Sequence, residues 1–352
     1  MSDKKVHTVR FEPVGVEMEV EEGEWVLDAA FRQGIAVMHG CREGQCSSCK
    51  CRLVEGDAEV ERYSTFALPD YEKEEGYTLL CRAHAYEDVT IELLNYDADM
   101  IRSGLPIQQA IAEVVSKDPV THDMRHLVLR LIEPGEVKFF PGQYMDFTVP
   151  GTDQVRSFSM ANTSSRDGLL EFVIKVYPDG LFSQFLDKEL NVGDRLELNG
   201  PFGVFTLRES EADLVFVGGG AGMAPILSLL RSMAERGIHR KATFFYGARG
   251  QRDLFFEEEL RAIAEKLPNF TYIPALSHHD PNHGDPNHGD WDGENGLITD
   301  VVKRLTGSLA GAHAYVCGPP PMVEAALPLL ETLGVEDKRV YYDKFTTTGE
   351  PS

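Results

Sequence analysis

Four cysteines carry the clearest chemistry in this chain. Cys41, Cys46 and Cys49 stand in GCREGQCSSCKC in the order C-x4-C-x2-C, and Cys81 follows in LLCRAHA. That is the plant-type spacing of four thiolates around a 2Fe-2S cluster. Two bridged irons need a tight wrapping loop, and Gly44, Ser47 and Ser48 are small enough to let backbone amides approach the sulfurs. A zinc ribbon favours two short C-x2-C pairs, and only one such pair occurs here; a disulfide pair is the other alternative. Cys51, a fifth cysteine beside the site, reads as a buried strand residue behaving as a small hydrophobe.

Three further stretches have the residue types of phosphate and dinucleotide sites. DLVFVGGGAGMAPILSLLRSMAERG reads as strand, glycine turn and helix, the unit that cradles a pyrophosphate. Gly220, Gly222 and Pro225 make its pattern G-x-G-x-x-P, with Pro225 in the first helical turn where a missing N–H costs nothing. ATFFYGAR, ending at Arg249, and AYVCGPPPMVEAAL, containing Cys317, Gly318 and Pro319, each read as a strand followed by a turn. Such turns fall at the carboxyl ends of parallel strands, where open α/β sheets bind ligands. No acidic residue closes the ATFFYGAR strand to hold a ribose 2'-hydroxyl, and Arg249 and Arg252 would suit a 2'-phosphate.

Upstream, VRSFSMANTS places Arg156 and Phe158 on one face of a strand and Ser157 and Ser159 on the other. Read alone, it is an ordinary strand with one exposed arginine. FVIKVYPDGLFSQFL then predicts a strand, a turn at Pro178 to Gly180 and a helix beginning near Leu181. A helix N-terminus with Gly180 and Ser183 beside it can receive a pyrophosphate through its amides. A last stretch repeats DPNHG at 280–284 and 285–289 and carries His278, His279, His283 and His288. Imidazoles suit zinc, copper or nickel, but turn-forming Pro, Asn, Gly and Asp predict a duplicated surface loop.

These residues need three kinds of scaffold. VHTVRFE and VGVEMEV alternate about Pro13 as a β-hairpin, Glu24 to Gln33 forms a short helix stopped at Gly34, and the chain enters the cysteine loop. CRLVEGDAEV adds a strand and turn, and YTLLCRAHAYEDVTIELL brings Cys81 onto another strand, completing a ferredoxin-like β-grasp over residues 1–96. Asn95 to Pro106 loses periodicity, so a linker is expected at 97–106. Alternating stretches over 107–208 predict an antiparallel β-barrel, and strand–turn–helix units over 209–352 predict a Rossmann-like parallel sheet. The expected fold class is thus multidomain, α+β and α/β.

With the motifs placed, the resemblance is to the ferredoxin-NADP reductase superfamily, whose flavin domain carries R-x-[YF]-S followed by a G-x-x-S turn. It implies bound FAD, with Arg156 on the flavin phosphate, Phe158 packed on the isoalloxazine and Ser159 near flavin N5. It also implies that the C-G-P-x-x-M turn, with Cys317, Gly318 and Pro319, lies by the nicotinamide, and that Phe345 in VYYDKFTTTGEPS covers the flavin. Phe158 replaces the commoner tyrosine, and Asp343 stands where relatives carry glutamate. YGAR-x-x-x-DLFF is similar to NADH-using members. The order of ferredoxin, flavin and nicotinamide domains resembles NADH-dependent reductase components of bacterial soluble di-iron monooxygenases acting on methane, propane, alkenes or phenols. The implied path runs from NADH as hydride to FAD, then singly through the cluster to a di-iron hydroxylase. Alternatives are a reductase of a Rieske-type aromatic dioxygenase or a deoxysugar pathway, and a non-catalytic iron-sulfur carrier or adaptor.

Composition agrees with that reading. The 352 residues carry a formal charge of −23, which repels nucleic acid and anionic membranes. Six cysteines, four of them on one cluster motif, argue for a reducing compartment. The N-terminus lacks an apolar h-region and no run of about 18 apolar residues occurs, so a cytoplasmic protein, monomeric when free, is expected. The acidic runs at Glu17 to Glu24 and Asp70 to Glu75 are either a docking face or a solvated surface.

Overall fold

The computed structural model describes residues 5–45, 47–102, 104–164, 168–278 and 291–345. Two compact units divide the chain, one of Met1–Gln108 with Gly200–Val204 and one of Gln109–Asn199 with Phe205–Ser352.

In the first unit, β1 (Val6–Glu12) and β2 (Val16–Glu21) form the expected hairpin. Alternation decides its faces: His7, Val9 and Phe11 turn inward, while Thr8 and Arg10 are exposed. Helix α1 (Val26–Arg32) packs Val26, Leu27, Ala29, Ala30 and Phe31 inward, and Gly34 at φ +73° ends it in a left-handed turn. The helix starts later than the sequence suggests because Trp25 is still extended. There follow β3 (Lys50–Glu55), β4 (Ala58–Val60), α2 (Asp70–Glu74), β5 (Tyr77–Leu79), β6 (Ala83–Ala85) and β7 (Val89–Leu93). The main sheet runs β2-β1-β7-β3-β5, with β1 and β7 parallel and the other pairs antiparallel. β4 pairs with β6 apart from it.

One expectation is corrected here, and one stretch gains an element that the sequence does not predict. Cys81 lies in a 3-10 turn, Leu80–Arg82, between β5 and β6, and not on a strand. The stretch read as a linker contains helix α3 (Ala98–Arg102), which buries Met100 and Ile101. Its N-terminus is fixed by the Asp97 carboxylate, which accepts a hydrogen bond of 2.8 Å from the Met100 amide. A single turn with two apolar residues leaves no periodic trace in the sequence.

The second unit begins with a six-stranded antiparallel sheet. Its strands are β8 (Gln108–Pro119), β9 (Met124–Glu133), β10 (Tyr144–Thr148), β11 (Val155–Ser159), β12 (Leu169–Lys175) and, after helix α4 (Leu181–Lys188), β13 (Arg195–Phe202). Their order is β11-β10-β13-β8-β9-β12. A bridge from Met160 to Phe172, with the Ala161 amide donating to the Glu171 carbonyl at 2.7 Å, joins the two ends and closes the barrel. Leu127, Leu129, Phe147, Phe172 and Phe182 fill it.

The remaining elements are β14 (Leu214–Gly219), α5 (Met223–Arg236), β15 (Ala242–Ala248), α6 (Glu257–Lys266), β16 (Phe270–Leu276), β17 (Glu294–Asn295), α7 (Ile298–Leu305), β18 (His313–Gly318), α8 (Pro320–Thr332) and β19 (Val340–Lys344). They build the parallel sheet β17-β16-β15-β14-β18-β19. β14 and β18 are buried along their whole lengths, as strands covered by helices on both faces must be. Strand order reverses about β14, whose neighbours β15 and β18 lie on opposite sides. Arg231 on α5 fastens this sheet to the barrel. Its guanidinium donates to the Ala161 carbonyl at 2.8 Å, to Glu171 at 2.8 Å and to Glu259 at 2.6 Å. Burial disfavours its charge, but Glu259 and Glu171 outweigh that and hold the group firmly protonated. Among the described residues no helix is long and apolar enough to cross a membrane.

Candidate functional site

The cysteine loop leaves α1 and turns back on itself before β3. Arg42, Gly44 and Ser47 all take positive φ, at 57°, 73° and 54°, which curls the backbone so that amides face inward. The Glu43 and Gln45 amides lie 3.4 and 3.2 Å from the Cys41 sulfur. A Cβ on Gly44 would meet Tyr63 Cα and Arg82 Cγ at 3.0 Å, so only glycine fits the loop against its neighbours. The Cys49 and Cys81 sulfurs are 3.4 Å apart, too far for a disulfide at about 2.05 Å. Cys49 and Cys81 thus meet beside the loop that carries Cys41; Cys46 lies outside the described residues. The 3-10 turn is what aims Cys81 at the loop, and it is braced by Arg82 over the Trp25 ring at 5.3 Å and by a Trp25–His84 stack at 3.7 Å. Thiolates held by backbone amides in a tight loop fit a 2Fe-2S cluster. Cys51 is fully buried on β3, where loss of solvent pushes its thiol far up, as expected of a packing residue.

On the barrel, β11 and β10 pair in register and set the four residues of RSFS. Ser157 donates to Asp146 at 2.6 Å, and Ser159 is buried opposite Tyr144. Phe158 is half-buried, with its ring 5.1 Å from Phe147 and 4.9 Å from Phe182. Arg156 folds along its own strand, donating to the Val155 carbonyl and the Gln154 side chain, each at 2.8 Å. Gly180 caps α4, and the first ladder bond runs from the Gln184 amide to the Gly180 carbonyl at 2.8 Å. The amides of residues 181–183 precede that rung and suit an anion. Ser183 turns its hydroxyl inward, accepting from the Tyr177 amide at 3.0 Å, so it shapes the turn before the helix.

The glycine turn sits where the parallel sheet reverses. Gly220 takes φ +56°, and a Cβ on Gly222 would stand 2.1 Å from the Cys317 carbonyl oxygen. Gly318, at φ +145°, is similarly crowded, since a Cβ there would stand 2.7 Å from the Gly219 carbonyl oxygen. These glycines let the ends of β14 and β18 touch and leave a cavity of about 230 Å³ at their carboxyl ends. Gly219, Gly220, Arg249, Arg252, Pro319 and Met322 line it. Pro225 is buried in the first turn of α5. Cys317 is fully buried, and burial, then Asp343, raise its thiol well above the ordinary range. It does not line this cavity. The Phe345 amide donates to the Gly318 carbonyl at 3.0 Å, bringing that aromatic to the Cys-Gly-Pro turn.

Sequence reasoning missed the barrel's share of the cavity. Thr121, His122 and Asp123 from the β8–β9 turn, Met124 at the start of β9 and Lys175 from β12 line it as well. Asp123 is 3.3 Å from Lys175 and His122 is 3.3 Å from Asp253. Burial opposes ionisation of Asp123, but the Thr121 hydrogen bond and Lys175 prevail and hold its carboxyl below the usual range. The polar run T-H-D between two alternating strands was the available signal, and it reads equally as a plain turn. Of the histidine-rich stretch only His278 is described, hydrogen-bonded to Ser277 at 2.9 Å; His279, His283 and His288 lie outside the described residues.

Comparison with known proteins matches each region to a family. Residues 9–86 match the 2Fe-2S iron-sulfur cluster binding domain, 111–207 the oxidoreductase FAD-binding domain and 216–327 the oxidoreductase NAD-binding domain. The propane 2-monooxygenase reductase component of Rhodococcus jostii (strain RHA1) is 50% identical over 343 residues, covering 97% of this chain and 92% of the relative. The phenol 2-monooxygenase reductase component DmpP of Pseudomonas sp. (strain CF600) is 36% identical, covering 98% and 96%. Among solved structures, the Amycolatopsis cytochrome P450 reductase GcoB superposes with a TM-score of 0.83 at 29% identity, covering 97% of this chain and 99% of its own. Cysteine loop, closed barrel and glycine-lined parallel sheet thus occur together in one chain. The chain belongs to the family of NADH-oxidising, FAD- and 2Fe-2S-dependent reductase components of monooxygenases.

Proposed function

We propose that this chain is the reductase of a propane-type soluble di-iron monooxygenase, a cytoplasmic protein that is monomeric when free. The observation carrying this reading is identity of 50% along 97% of the chain to a propane 2-monooxygenase reductase component. The 36% identity to a phenol 2-monooxygenase reductase supports the same kind of acceptor at greater distance. Three domains are proposed at 1–96, 107–208 and 209–352, joined through 97–106.

When bound, FAD and the 2Fe-2S cluster together supply conversion of a two-electron hydride donor into single electrons. The protein's work is to bind, orient and exclude water. In this reading Cys41, Cys46, Cys49 and Cys81 hold the cluster. Arg156 and the first-turn amides of α4, from Gly180 on, hold the FAD pyrophosphate. Ser157 fixes β11 to β10 through Asp146, Phe158 presents a ring to the flavin, and Ser159 lies at its reactive edge. Gly220, Gly222, Gly318 and Pro319 let the dinucleotide approach the sheet, Arg249 meets its ribose side, and Lys175 sets a positive charge opposite. Ser183 and Pro225 keep the turn and helix that present those amides. Phe345 would cover the flavin face, and Cys317, a neutral buried thiol, would back the nicotinamide side of the site.

The test is an anaerobic NADH titration of the purified protein, followed by visible absorbance and low-temperature EPR. Bleaching of a flavin band with a rhombic 2Fe-2S signal is expected, and reduction of a propane 2-monooxygenase hydroxylase should follow. A cluster reducible by dithionite but silent to NADH would overturn the assigned path in favour of a carrier.

A further inference from the structure

Phe66 is the most exposed large hydrophobic side chain among the described residues, at 94%. It does not lie on a loose strand of chain. The turn around it is closed by the Ala67 and Leu68 amides, which donate to the Ser64 carbonyl at 2.9 and 3.1 Å, and by the Phe66 amide, which donates to the Ser64 hydroxyl at 3.3 Å. Ala67 and Leu68 are completely buried beside it. Two residues of the turn are thus sunk into the core to hold the third in water. A phenyl ring in that position forgoes the burial that its type normally has.

The same turn is fastened to the cysteine loop. The Ser64 amide donates to the Gly44 carbonyl at 3.0 Å, and Gly44 packs on Tyr63 so closely that no side chain fits between them. Gly44 lies between Cys41 and Cys46, so the ring stands a few residues from the cluster ligands along a rigid path. The surround is acidic: six acidic against two basic residues occur between Glu59 and Glu75. Glu72 is engaged with Lys50, while Asp70, Glu74 and Glu75 on or beside α2 are exposed, as is Glu43 on the loop itself.

We propose that Phe66 is the anchor by which this chain docks its electron acceptor, the hydroxylase component, inserting into an apolar pocket rimmed by lysine or arginine. An aromatic side chain that is preordered and desolvated on contact is the usual energetic centre of an interface, and an acidic rim steers a basic partner into register. This deepens the function proposed above and rests on the hydroxylase being the acceptor. Electrons leave at the cluster, so an anchor tied to the cluster loop fixes the acceptor at the exit.

The experiment compares wild type, Phe66→Ala and Phe66→Tyr for NADH-driven reduction of purified propane 2-monooxygenase hydroxylase, with ferricyanide as a small acceptor that needs no docking. Phe66→Ala is expected to raise the KM for the hydroxylase about tenfold or more, to leave ferricyanide reduction unchanged, and to be rescued largely by Phe66→Tyr. A hydroxylase KM in Phe66→Ala equal to wild type would overturn the proposal. So would a wild-type dimer in sedimentation that Phe66→Ala converts to monomer, since the ring's partner would then be a second copy. If wild type reduces ferricyanide but not the hydroxylase, the acceptor assignment itself fails and the anchor with it.

Discussion

Single residues decide how far electrons can travel. Cys49 and Cys81 stand 32 residues apart in the chain yet bring their sulfurs within 3.4 Å, so loss of either should remove one corner of the proposed cluster site. Cys81→Ser is expected to keep the flavin band bleachable by NADH while the rhombic EPR signal disappears and hydroxylase reduction falls to background. The measurement is the same anaerobic titration, which would show instead an intact signal if Cys81 were only a packing residue. His313, at the amino end of β18, bears on stability. Burial, with Arg240, Arg339 and Arg208 nearby, holds its pKa below the ordinary value of 6.5. Its Nδ1 is buried without a hydrogen-bond partner. The folded chain thus resists a proton that the unfolded chain accepts. Stability is fully present above about pH 6.5 and declines as pH falls toward the depressed folded value. Urea unfolding at pH 7.5 and 5.5 should show this decline, and His313→Gln should flatten it.

At the scale of elements, the close meeting of β14, α5 and β18 shapes the cavity proposed above for the dinucleotide. Gly222→Ala sets a methyl group against the Cys317 carbonyl, so the start of α5 must shift away from β18. A cost of about 1–3 kcal/mol is expected for such overpacking. Its signature is a raised KM for NADH with cluster EPR and flavin content unchanged, because the barrel and the cysteine loop are separate elements. An unchanged KM would mean that the turn yields without moving the cavity. The barrel contributes to the same site through the β8–β9 turn and through Lys175, held near Asp123 at 3.3 Å. Arg231 and the Ser228 hydroxyl, which donates to the Asn162 carbonyl at 2.6 Å, keep barrel and sheet in that relation.

For the molecule as a whole, a formal charge of −23 sets the terms of encounter. Long-range attraction to a basic acceptor is screened over about 8 Å at physiological salt. The apparent second-order rate of hydroxylase reduction is therefore expected to fall several-fold between about 50 and 500 mM NaCl. Reduction of ferricyanide, itself an anion that the chain repels, should rise or stay level over the same range. Stopped-flow traces at both ionic strengths would separate these cases. A hydroxylase rate indifferent to salt would place the contact energy in apolar burial alone.

The sequence by itself determined the cofactor chemistry and the order of the three domains. Cysteine spacing, R-S-F-S with its Gly-x-x-Ser turn, and the glycine turn after a strand are local patterns, because each reflects a constraint within one loop or one strand–turn–helix unit. Tertiary structure alone decided what depends on residues distant in the chain. It turned Cys81 out of a strand into a 3-10 turn facing Cys49, and it built α3 where the sequence shows no period. It brought Thr121, His122, Asp123 and Lys175 to a cavity that the motifs assign only to the parallel sheet. It also buried Cys317 and left Phe66 in water, although both are apolar residues beside a motif. Burial is a property of everything packed around a side chain, and no spacing within a single segment records it.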